Sequence, residues 1–316
     1  MPKGSFSENA GRGASLDYHV PVMLQQAIEG LNIQKNGTYV DCTFGGGGHS
    51  KEILMHLDKE GKLFAFDQDE DAKKNLPDDS RLVFIPHNFR HLQRFLRLHK
   101  SGQVDGILAD LGVSSHQFDE ASRGFSTRFD GKLDMRMDRR QTVSAYDIVN
   151  TYSEEKLHKI FEQYGEVTNA KSLAKKIVGI RSTVSMQTVA GFKSALQDMV
   201  KGNPNKYFAQ VFQALRIEVN DELGALRELM MQVPESLKKG GRIVVITFHS
   251  LEDRIVKHFF RSGTMEEEKE DENPFATGVH ENKLKIITRK PVLPTETELK
   301  RNPRSRSAKL RIAEKL

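Results

Sequence analysis

The sequence predicts an α/β protein built on a mostly parallel sheet, with an all-helical segment inserted into it. Short apolar segments typical of buried strands alternate with helical patterns from about residue 19 to residue 119. A run of glycines follows the first of these strands. From residue 120 to residue 213 the strand pattern stops and helical spacing replaces it, before a last set of strands follows.

The composition of the 316-residue chain is that of a globular protein, with 37% hydrophobic and 29% charged residues and a net charge of +5. No run of about 18 apolar residues is present, so we expect no membrane contact. Residues 1–18 lack the apolar core of a secretory signal and predict a disordered leader. Cys42 is the single cysteine, which excludes an internal disulfide and fits a reducing cytoplasm. The mild positive charge is compatible with a polyanionic partner.

The stretch Tyr39–Ser50 (YVDCTFGGGGHS) predicts a ligand site. Tyr39 and Val40 end a short strand, four glycines follow, and residues 50–57 have helical spacing. Glycine permits a positive φ and lets a ligand approach the main chain closely. The free N–H groups in the first turn of the helix then face that ligand. The pattern indicates a nucleotide-like ligand, but by itself it does not separate a dinucleotide from S-adenosylmethionine.

Lys62–Asp67 (KLFAFD) predicts the second strand, and Asp67 follows Gly47 by 20 residues. In βαβ nucleotide folds an acid at that distance lies at the tip of the second strand and accepts hydrogen bonds from ribose hydroxyls. The alternative is a helix N-cap, because residues 69–74 could begin the next helix. The spacing favours the ribose role.

Arg81–Ile85 and Val104–Leu111 predict the third and fourth strands. Phe89 lies in the loop after the third strand, where it is either ordinary core or a neighbour of an adenine ring. Asp110 lies at the tip of the fourth strand, and Gln117 follows it. Because ligands of open α/β sheets bind at the carboxyl ends of the strands, polar residues at successive strand ends predict a site there.

Residues 120–213 predict a helical insertion, because apolar residues recur in it at helical spacing. Two stripes carry this prediction: Leu157, Ile160, Phe161 and Tyr164, and then Val189, Phe192, Leu196, Met199 and Val200. Helical spacing continues over Tyr207–Leu237, Gly240 and Gly241 predict a turn, and Arg242–Phe248 predicts the fifth strand. His249 follows that strand, where it either caps the next helix or takes part in chemistry.

The C-terminal part predicts an acidic loop at 264–282 and two last strands, Lys283–Arg289 and Ala308–Ala313. The basic segment Asn302–Ser307 between them is expected to be irregular. Positive charge gathers in three places: Arg136–Arg140, Lys171–Lys176 and Lys300–Arg311. For a single basic residue a solvated helix face remains the simpler interpretation than a contact with RNA.

The motifs of this chain together resemble one family. They are HVPVML, VDCTFGGGGHS, FDQDEDA, LADLGVSSHQFD, RGFS with DGKLDMRMD, QALRIEVNDEL, GGRIVVITFHSLEDR and NPRSRSAKLRIAEK. They are similar to the MraW/RsmH family of bacterial S-adenosylmethionine-dependent methyltransferases, which modify the exocyclic N4 of a cytosine in small-subunit ribosomal RNA. The resemblance extends from about His19 to Lys315.

The resemblance implies a class I methyltransferase (Rossmann-like) sheet with a final antiparallel hairpin strand. It also implies an S-adenosylmethionine-binding domain at 19–119 and 214–316 and a helical RNA substrate domain at 120–213. The family's cofactor site maps onto these residues of the chain: Gly47, Gly48, His49, Asp67, Phe89, Asp110 and Gln117. The implied partner is 16S ribosomal RNA in the small subunit, and a homodimer is possible.

Many amino-methyltransferases carry an Asn/Asp-Pro-Pro-aromatic motif at the fourth strand, but this chain has Asp110-Leu111-Gly112-Val113. The base-clamping role of that motif therefore does not transfer. We expect Asp110 to be catalytic, orienting either the target amine or the amino group of the cofactor, and we expect no metal. An NAD-type oxidoreductase, a non-catalytic RNA-binding assembly factor and a DNA amino-methyltransferase are the alternatives.

Overall fold

The computed structural model describes residues 21–265 and 281–316. The leader expected at 1–18 lies outside these residues, as does most of the acidic segment 264–282. No helix in the described ranges is both long enough and apolar enough to cross a bilayer.

Within the described residues one sheet of seven strands forms the centre of the fold. The strands are β1 (Thr38–Asp41), β2 (Lys62–Phe66), β3 (Leu82–Ile85), β4 (Val104–Asp110), β5 (Leu237–Thr247), β6 (Leu284–Ile286) and β7 (Lys309–Lys315). Their order is β3-β2-β1-β4-β5-β7-β6. The first five strands pair in parallel, whereas β7 is antiparallel to both β5 and β6. This confirms the predicted mostly parallel α/β sheet with a final antiparallel hairpin.

The helices surround the sheet and form a second unit beside it. They are α1 (Leu24–Leu31), α2 (Gly48–His56), α3 (Leu92–Leu98), α4 (Ser115–Asp119), α5 (Ala145–Thr151), α6 (Glu154–Gln163), α7 (Ala170–Ile180), α8 (Val189–Ala195), α9 (Pro204–Asn220), α10 (Glu222–Ser236), α11 (Ser250–Ser262) and α12 (Glu296–Arg301). Short 3₁₀ turns occur at Glu70–Asn75, Phe89–His91, Ala121–Arg123, Gln197–Met199 and Pro303–Ser307.

Two hydrophobic layers cover the two faces of the sheet. Side chains from α1 and α2 pack on one face, and side chains from α3, α10 and α11 pack on the other. The central strand β5 is therefore buried on both sides, and Ile243, Val244, Val245 and Ile246 are all fully buried. This explains why its sequence is a continuous β-branched run rather than an alternating pattern.

A separate hydrophobic core holds the helical unit α5–α9 together and extends from Phe125 to Val219. Leu157, Ile160 and Phe161, which lie in the first predicted stripe, form the buried face of α6. The helix α9 runs on to Asn220, through residue 213, where the sequence suggested that the insertion ends. The core of the helical unit therefore reaches into the segment that was assigned to the other domain.

Three local predictions were wrong. The helix expected over Tyr207–Leu237 is two helices, because Asp221 adopts a left-handed conformation (φ 46°) between α9 and α10. Gly240, with φ 76°, lies inside β5 rather than in a turn before it, where the pairing of β4 with β5 shifts register. The segment before the last strand contains α12, which sequence patterns did not indicate.

Asn220 joins the end of α9 to the irregular segment that enters the helical unit. Its side chain is 2% exposed, accepts a hydrogen bond from Met137 N (2.7 Å) and donates to the carbonyl oxygens of Met135 (2.8 Å) and Arg216 (2.9 Å). Since backbone groups at this depth have no access to water, the amide takes the place that water would have.

We expect Asn220→Ala to lower the free energy of unfolding by about 2–4 kcal/mol, because it leaves buried backbone groups of Met135 and Met137 without partners. Urea denaturation followed by circular dichroism measures the effect. Asn150→Ala is the matched control. Among the described residues that amide bonds only the Tyr146 carbonyl in its own helix, so the loss should stay within about 0.5 kcal/mol. Equal losses in the two variants would contradict the role given to Asn220.

Candidate functional site

A cavity of about 740 Å³ lies at the carboxyl ends of β1, β2, β4 and β5. Six of the seven residues expected from the sequence line it: Gly48, His49, Asp67, Phe89, Asp110 and Gln117. Gly47 lies in the same glycine loop but is buried behind the wall. The sheet therefore brings these residues to one place, as parallel strand ends allow.

The glycine loop adopts a conformation that needs glycine at defined positions. Gly45 and Gly47 have φ values of 50° and 76°, in the left-handed region. A Cβ atom on Gly47 would lie 2.8 Å from Phe44 Cζ, and one on Gly48 would lie 2.1 Å from Pro21 Cγ. By contrast, a Cβ on Gly46 would meet nothing within 4 Å. The loop is therefore packed tightly from behind and open on the cavity side.

Hydrogen bonds from side chains fix the tips of β1 and β4 to the loop. The Asp41 carboxylate, 1% exposed, accepts from Thr43 N (3.0 Å) and from Ser50 Oγ (2.7 Å) in the first turn of α2. Thr43 Oγ1 in turn accepts from Asp110 N (2.8 Å) at the tip of β4. Asp41 is thus a structural acid that holds the loop, and burial raises its pKa despite its hydrogen bonds.

Asp67 joins the tip of β2 to the same loop. Its two carboxylate oxygens accept from Gly45 N (2.7 Å) and Asp69 N (2.8 Å). The following 3₁₀ turn is capped by Asp69, which accepts from Asp71 N, so Asp67 is not the helix cap of the alternative interpretation. Burial raises the pKa of Asp67 to about 7, which outweighs the two backbone donors that favour its ionised form.

Gln117 belongs to a buried polar cluster that sequence reasoning did not find. Its Nε2 donates to Asp69 Oδ2 (2.8 Å) and its Oε1 accepts from Ser114 N (3.0 Å). Arg123, only 3% exposed, also donates to Asp69 Oδ2 (2.7 Å) and to the Met137 carbonyl (3.1 Å). Ser114 and Gln117 form a capping box at the start of α4, and the spacing of these two residues was the available signal.

Phe89 begins the 3₁₀ turn after β3, where its position is compatible with both alternatives considered for it. It packs partly buried against the main core and also lines the cavity. Beside it, Asn88 Nδ2 donates to Gln68 Oε1 (2.9 Å), and both of these amide side chains line the same wall. This end of the cavity offers an aromatic ring and neutral polar groups.

The opposite end of the cavity is acidic. Asp110 Oδ2 lies 3.7 Å from Nδ1 of the buried His49, whose Nε2 contacts the Val22 carbonyl oxygen (3.0 Å). Asp110 Oδ1 is buried and meets no hydrogen-bond partner among the described residues. Burial, together with the negative charges of Asp41, Glu252 and Glu298, raises the pKa of Asp110 well above its usual value. This end of the cavity is suited to a positively charged ligand.

His249 caps α11, which is the structural alternative considered for it: its Nδ1 accepts from Glu252 N (3.4 Å). Glu252 and Glu222 were not among the predicted residues, yet both line the cavity beside the tip of β5. Glu222 pairs with Arg216 through two hydrogen bonds (2.8 and 3.0 Å). The sequence contained a signal for Glu252, because this residue follows the cap His249 by three positions, as in a capping box.

The basic cluster Arg136–Arg140 is largely neutralised within the protein. Arg136 makes a forked pair with Asp134, and Arg140 makes one with Asp138, each with an acid two residues earlier in the chain. Arg139 lies 3.4 Å from an oxygen of Asp71. Spacing alone could not show that these cations are already paired.

We expect Gly48→Ala to lower the free energy of unfolding by about 1–3 kcal/mol, because the methyl group collides with Pro21. Gly46→Ala, whose methyl group meets open space, should change it by less than about 0.5 kcal/mol. Thermal denaturation of the ligand-free variants measures both. A Gly46 variant as unstable as the Gly48 variant would show that the loop tolerates no side chain for another reason.

Curated relatives cover almost all of this chain. Ribosomal RNA small subunit methyltransferase H of Bacteroides thetaiotaomicron is 52% identical over 301 residues, which are 95% of this chain and 98% of that protein. The protein of the same name from Flavobacterium johnsoniae is 51% identical over 303 residues, with 96% and 99% coverage.

Solved structures give looser similarities. A putative rRNA-methylase from Clostridium thermocellum matches 94% of this chain and 99% of its own, with a TM-score of 0.45 and 12% identity. An rRNA methylase from Streptococcus thermophilus matches 93% of each chain, with a TM-score of 0.39 and 12% identity.

The model of the MraW methylase family matches residues 17–316. This range includes the glycine loop, all the residues that line the cavity and the helical unit. It also includes every sequence motif on which the family resemblance was based. The match therefore confirms that resemblance. The chain belongs to the MraW methylase family.

Proposed function

We propose that the protein transfers a methyl group from S-adenosylmethionine to the exocyclic N4 of a cytosine in 16S ribosomal RNA of the small ribosomal subunit. Relatives about 52% identical over nearly the whole chain carry the name ribosomal RNA small subunit methyltransferase H, which supports the reaction and the substrate class. The nucleotide and the N4 position come from the family resemblance of the sequence motifs.

The acidic end of the cavity is the observation that carries the choice of methyl donor. S-adenosylmethionine supplies an electrophilic methyl group on a sulfonium ion and also carries an ammonium group. Asp110 has a buried oxygen without a partner in the described chain, and nearby carboxylates strengthen the negative field. A cation would relieve this repulsion, whereas the pyrophosphate of NAD would bring negative charge.

The remaining cofactor residues have roles that follow from their positions. The loop at Gly47, Gly48 and His49 would support the donor with backbone groups at the start of α2. Asp67 would accept hydrogen bonds from ribose hydroxyls, and its present donors leave it lone pairs for them.

Phe89 would lie against the adenine ring, beside the amide side chains of the same wall. Gln117 would affect the donor only indirectly, because the oxygen and the nitrogen of its amide already bond Ser114 and Asp69. We therefore assign it to holding the loop after β4 rather than to the donor itself.

The helical unit is proposed to hold the RNA, and the target base must leave its stack to reach the cavity. The place of action would be the cytoplasm, where small subunits are found. A homodimer remains a prediction, which light scattering of the purified protein would test.

We expect the affinity for S-adenosylmethionine to rise with pH. Burial raises the pKa values of Asp110 and Asp67, so both carboxyls hold protons in the ligand-free protein at pH values where they are normally ionised. A cationic donor with ribose hydroxyls favours the ionised forms, so binding releases protons and tightens by up to about tenfold per pH unit for each group. Above the raised pKa values the affinity should level off.

Calorimetry in buffers of different ionisation enthalpy measures the released protons. Asp110→Asn should lose its part of the pH dependence, while Asp67→Asn should retain the part that belongs to Asp110. An affinity that does not change with pH in the wild-type protein would contradict this assignment.

The decisive test is methyl transfer from tritiated donor to purified small subunits and to free 16S RNA, with the modified nucleotide mapped by mass spectrometry. We expect one added methyl group on a cytosine N4, and none with Asp110→Ala, which should still fold. The donor should raise the melting temperature, and NAD should not. Failure of any RNA to gain a methyl group would favour the non-catalytic assembly factor.

A further inference from the structure

The corner where β5 meets α11 holds a second acid that faces the cavity. Glu252 is 2% exposed, and its Oε2 accepts a hydrogen bond from Phe248 N (2.8 Å). Its Oε1 lies 3.2 Å from His249 Nε2. That nitrogen is buried, and no atom of the described residues meets it in hydrogen-bonding geometry. Within the described part of the chain, His249 thus has one buried ring nitrogen that lacks a hydrogen bond, beside the buried Glu252. A pair of this kind suggests a site whose hydrogen bonds become complete when a ligand binds.

The hydrogen-bond pattern assigns the tautomer of a neutral His249. Its Nδ1 accepts from Glu252 N as the cap of α11, so the hydrogen of the neutral imidazole lies on Nε2. The hydrogen on Nε2 therefore lies near Glu252 Oε1, though outside ideal hydrogen-bonding geometry, and its positive partial charge favours the ionised carboxylate. His249 cannot at the same time accept a proton at that atom.

The other carboxylates of the cavity are occupied or face elsewhere. Both carboxylate oxygens of Glu222 accept hydrogen bonds from Arg216. Asp110 lies beside His49 at the foot of the glycine loop, where a cationic donor would be held. Glu252 lies one strand further along the sheet, on the far side of Asp110 from β1.

A metal ion is the competing occupant of this corner. Ligand atoms of Glu222, His249 and Glu252 lie within 4.8 Å of one another. A cation there would have to displace Arg216 from Glu222 and would meet the hydrogen-bearing nitrogen of His249. The present partners therefore favour a neutral ligand with hydrogens to donate.

We propose that Glu252 accepts a hydrogen bond from the exocyclic amine of the target cytosine and takes its proton, and that His249 is the positioning residue for Glu252. This inference rests on the proposed function and assigns the target-base end of the same cavity. A carboxylate that accepts from cytosine N4 would also reject uracil, whose O4 is itself an acceptor.

The proton balance of the step is simple. The N4 lone pair forms the bond to the methyl carbon, the methyl–sulfur bond breaks, and its electron pair stays on sulfur. The nitrogen, now positively charged, releases one of its hydrogens as a proton to Glu252. Since an alkylated, positively charged cytosine amine is strongly acidic, a weak carboxylate base is sufficient.

The charges around Glu252 keep it ionised at neutral pH. Burial alone would raise its pKa, but His249, the Phe248 N–H and the positive charge of Arg216 lower it below the usual value. Glu222 from α10 and Asp110 from β4 are the negative groups that face the same space. Asp110 and Glu252 are thus shifted in opposite directions, as expected for two acids with different tasks.

The first experiment measures binding rather than turnover. Fluorescence titration compares RNA fragments of the target site that carry cytosine or uracil at the modified position, with S-adenosylhomocysteine present. Wild-type protein should prefer cytosine by about tenfold or more, and Glu252→Gln, which keeps the acceptor for Phe248 N but can also donate, should lose the preference. Glu235→Gln, which removes an exposed partner of Lys283 on α10, is the matched control and should keep it.

The second experiment measures single-turnover methyl transfer against pH. With the donor at saturating concentration, Glu252→Gln should be slower by about 100-fold or more. With the donor saturating, the fall of the wild-type rate in acid should lie below the usual glutamate pKa, since His249, the Phe248 N–H and Arg216 lower the pKa of Glu252. In His249→Asn, which preserves the helix cap, the fall in rate should move to higher pH because Glu252 loses the donor that favours its ionised form.

Three results would overturn the inference: a full rate in Glu252→Gln, an unchanged acid limb in His249→Asn, or transfer that chelators abolish and manganese restores. A wild-type protein that methylates no cytosine would overturn the proposed function as well. If the wild-type protein and Glu252→Gln were equally active, Glu252 would not be the proton acceptor, but the proposed function would stand.

Discussion

The structure depends on the way three strand tips are held around four glycines. Asp41, Thr43 and Asp67 each bond a backbone or hydroxyl group of a neighbouring segment, so that β1, β2, β4 and the loop form one rigid frame. Without these bonds the loop would have few constraints, because glycine has more backbone freedom than any other residue. The frame turns a flexible sequence into a fixed wall of the cavity.

That frame has an electrostatic cost. It buries acids near one another. Burial raises the pKa values of Asp41, Asp67 and Asp110, and repulsion from nearby carboxylates raises those of Asp67 and Asp110 further. A protein optimised for stability alone would avoid such a cluster. The same repulsion prepares the cavity for a cation, since a positively charged ligand gains most where negative charge is least solvated. Under the proposed function, the electrostatic cost of the empty site and its affinity for the donor would have one cause.

The sequence predicted the features that follow from local patterns. Strand tips, the glycine loop and the helical stripes depend on spacing, and β1 to β4 and the buried face of α6 were found where they were expected. Motif resemblance supplied the site residues, and the fold brings six of them to the cavity wall. Spacing could not predict hydrogen bonds and ion pairs between segments that are distant in sequence. Arg123 looked like one more basic residue, yet it is buried against Asp69, 54 residues earlier.

The errors have the same physical origin. The break at Asp221 is a single left-handed residue between two amphipathic helices, and helical periodicity continues across it almost unchanged. Glu222 and Glu252 were not singled out because an acid at a helix start is common. The position of β5 beside β4 in the sheet brings Glu252, at the start of α11, to the cavity.

The contacts that the sequence did not reveal also connect the helical unit to the cavity. Arg123 lies at the entry to that unit, and its guanidinium bonds Asp69 beside the tip of β2 as well as the backbone of Met137. Asn220, at the exit of α9, bonds the same Met137. Both chain connections of the helical unit therefore meet at one residue on the cavity wall.

A buried ion pair such as Arg123 with Asp69 contributes little net stability, because desolvation offsets most of the attraction. Its role is to fix geometry, since the planar guanidinium of Arg123 sets the orientation of its partners as well as their distance. Asp69 also receives the Gln117 amide, so the loop after β4, the tip of β2 and the helical unit share one acceptor. A displacement of the helical unit by RNA would therefore reach the donor loop through a few polar contacts rather than through a soft apolar interface. Under the proposed function, RNA binding at the helical unit and donor binding in the cavity would therefore be coupled by the hydrogen bonds of Asp69 and Met137.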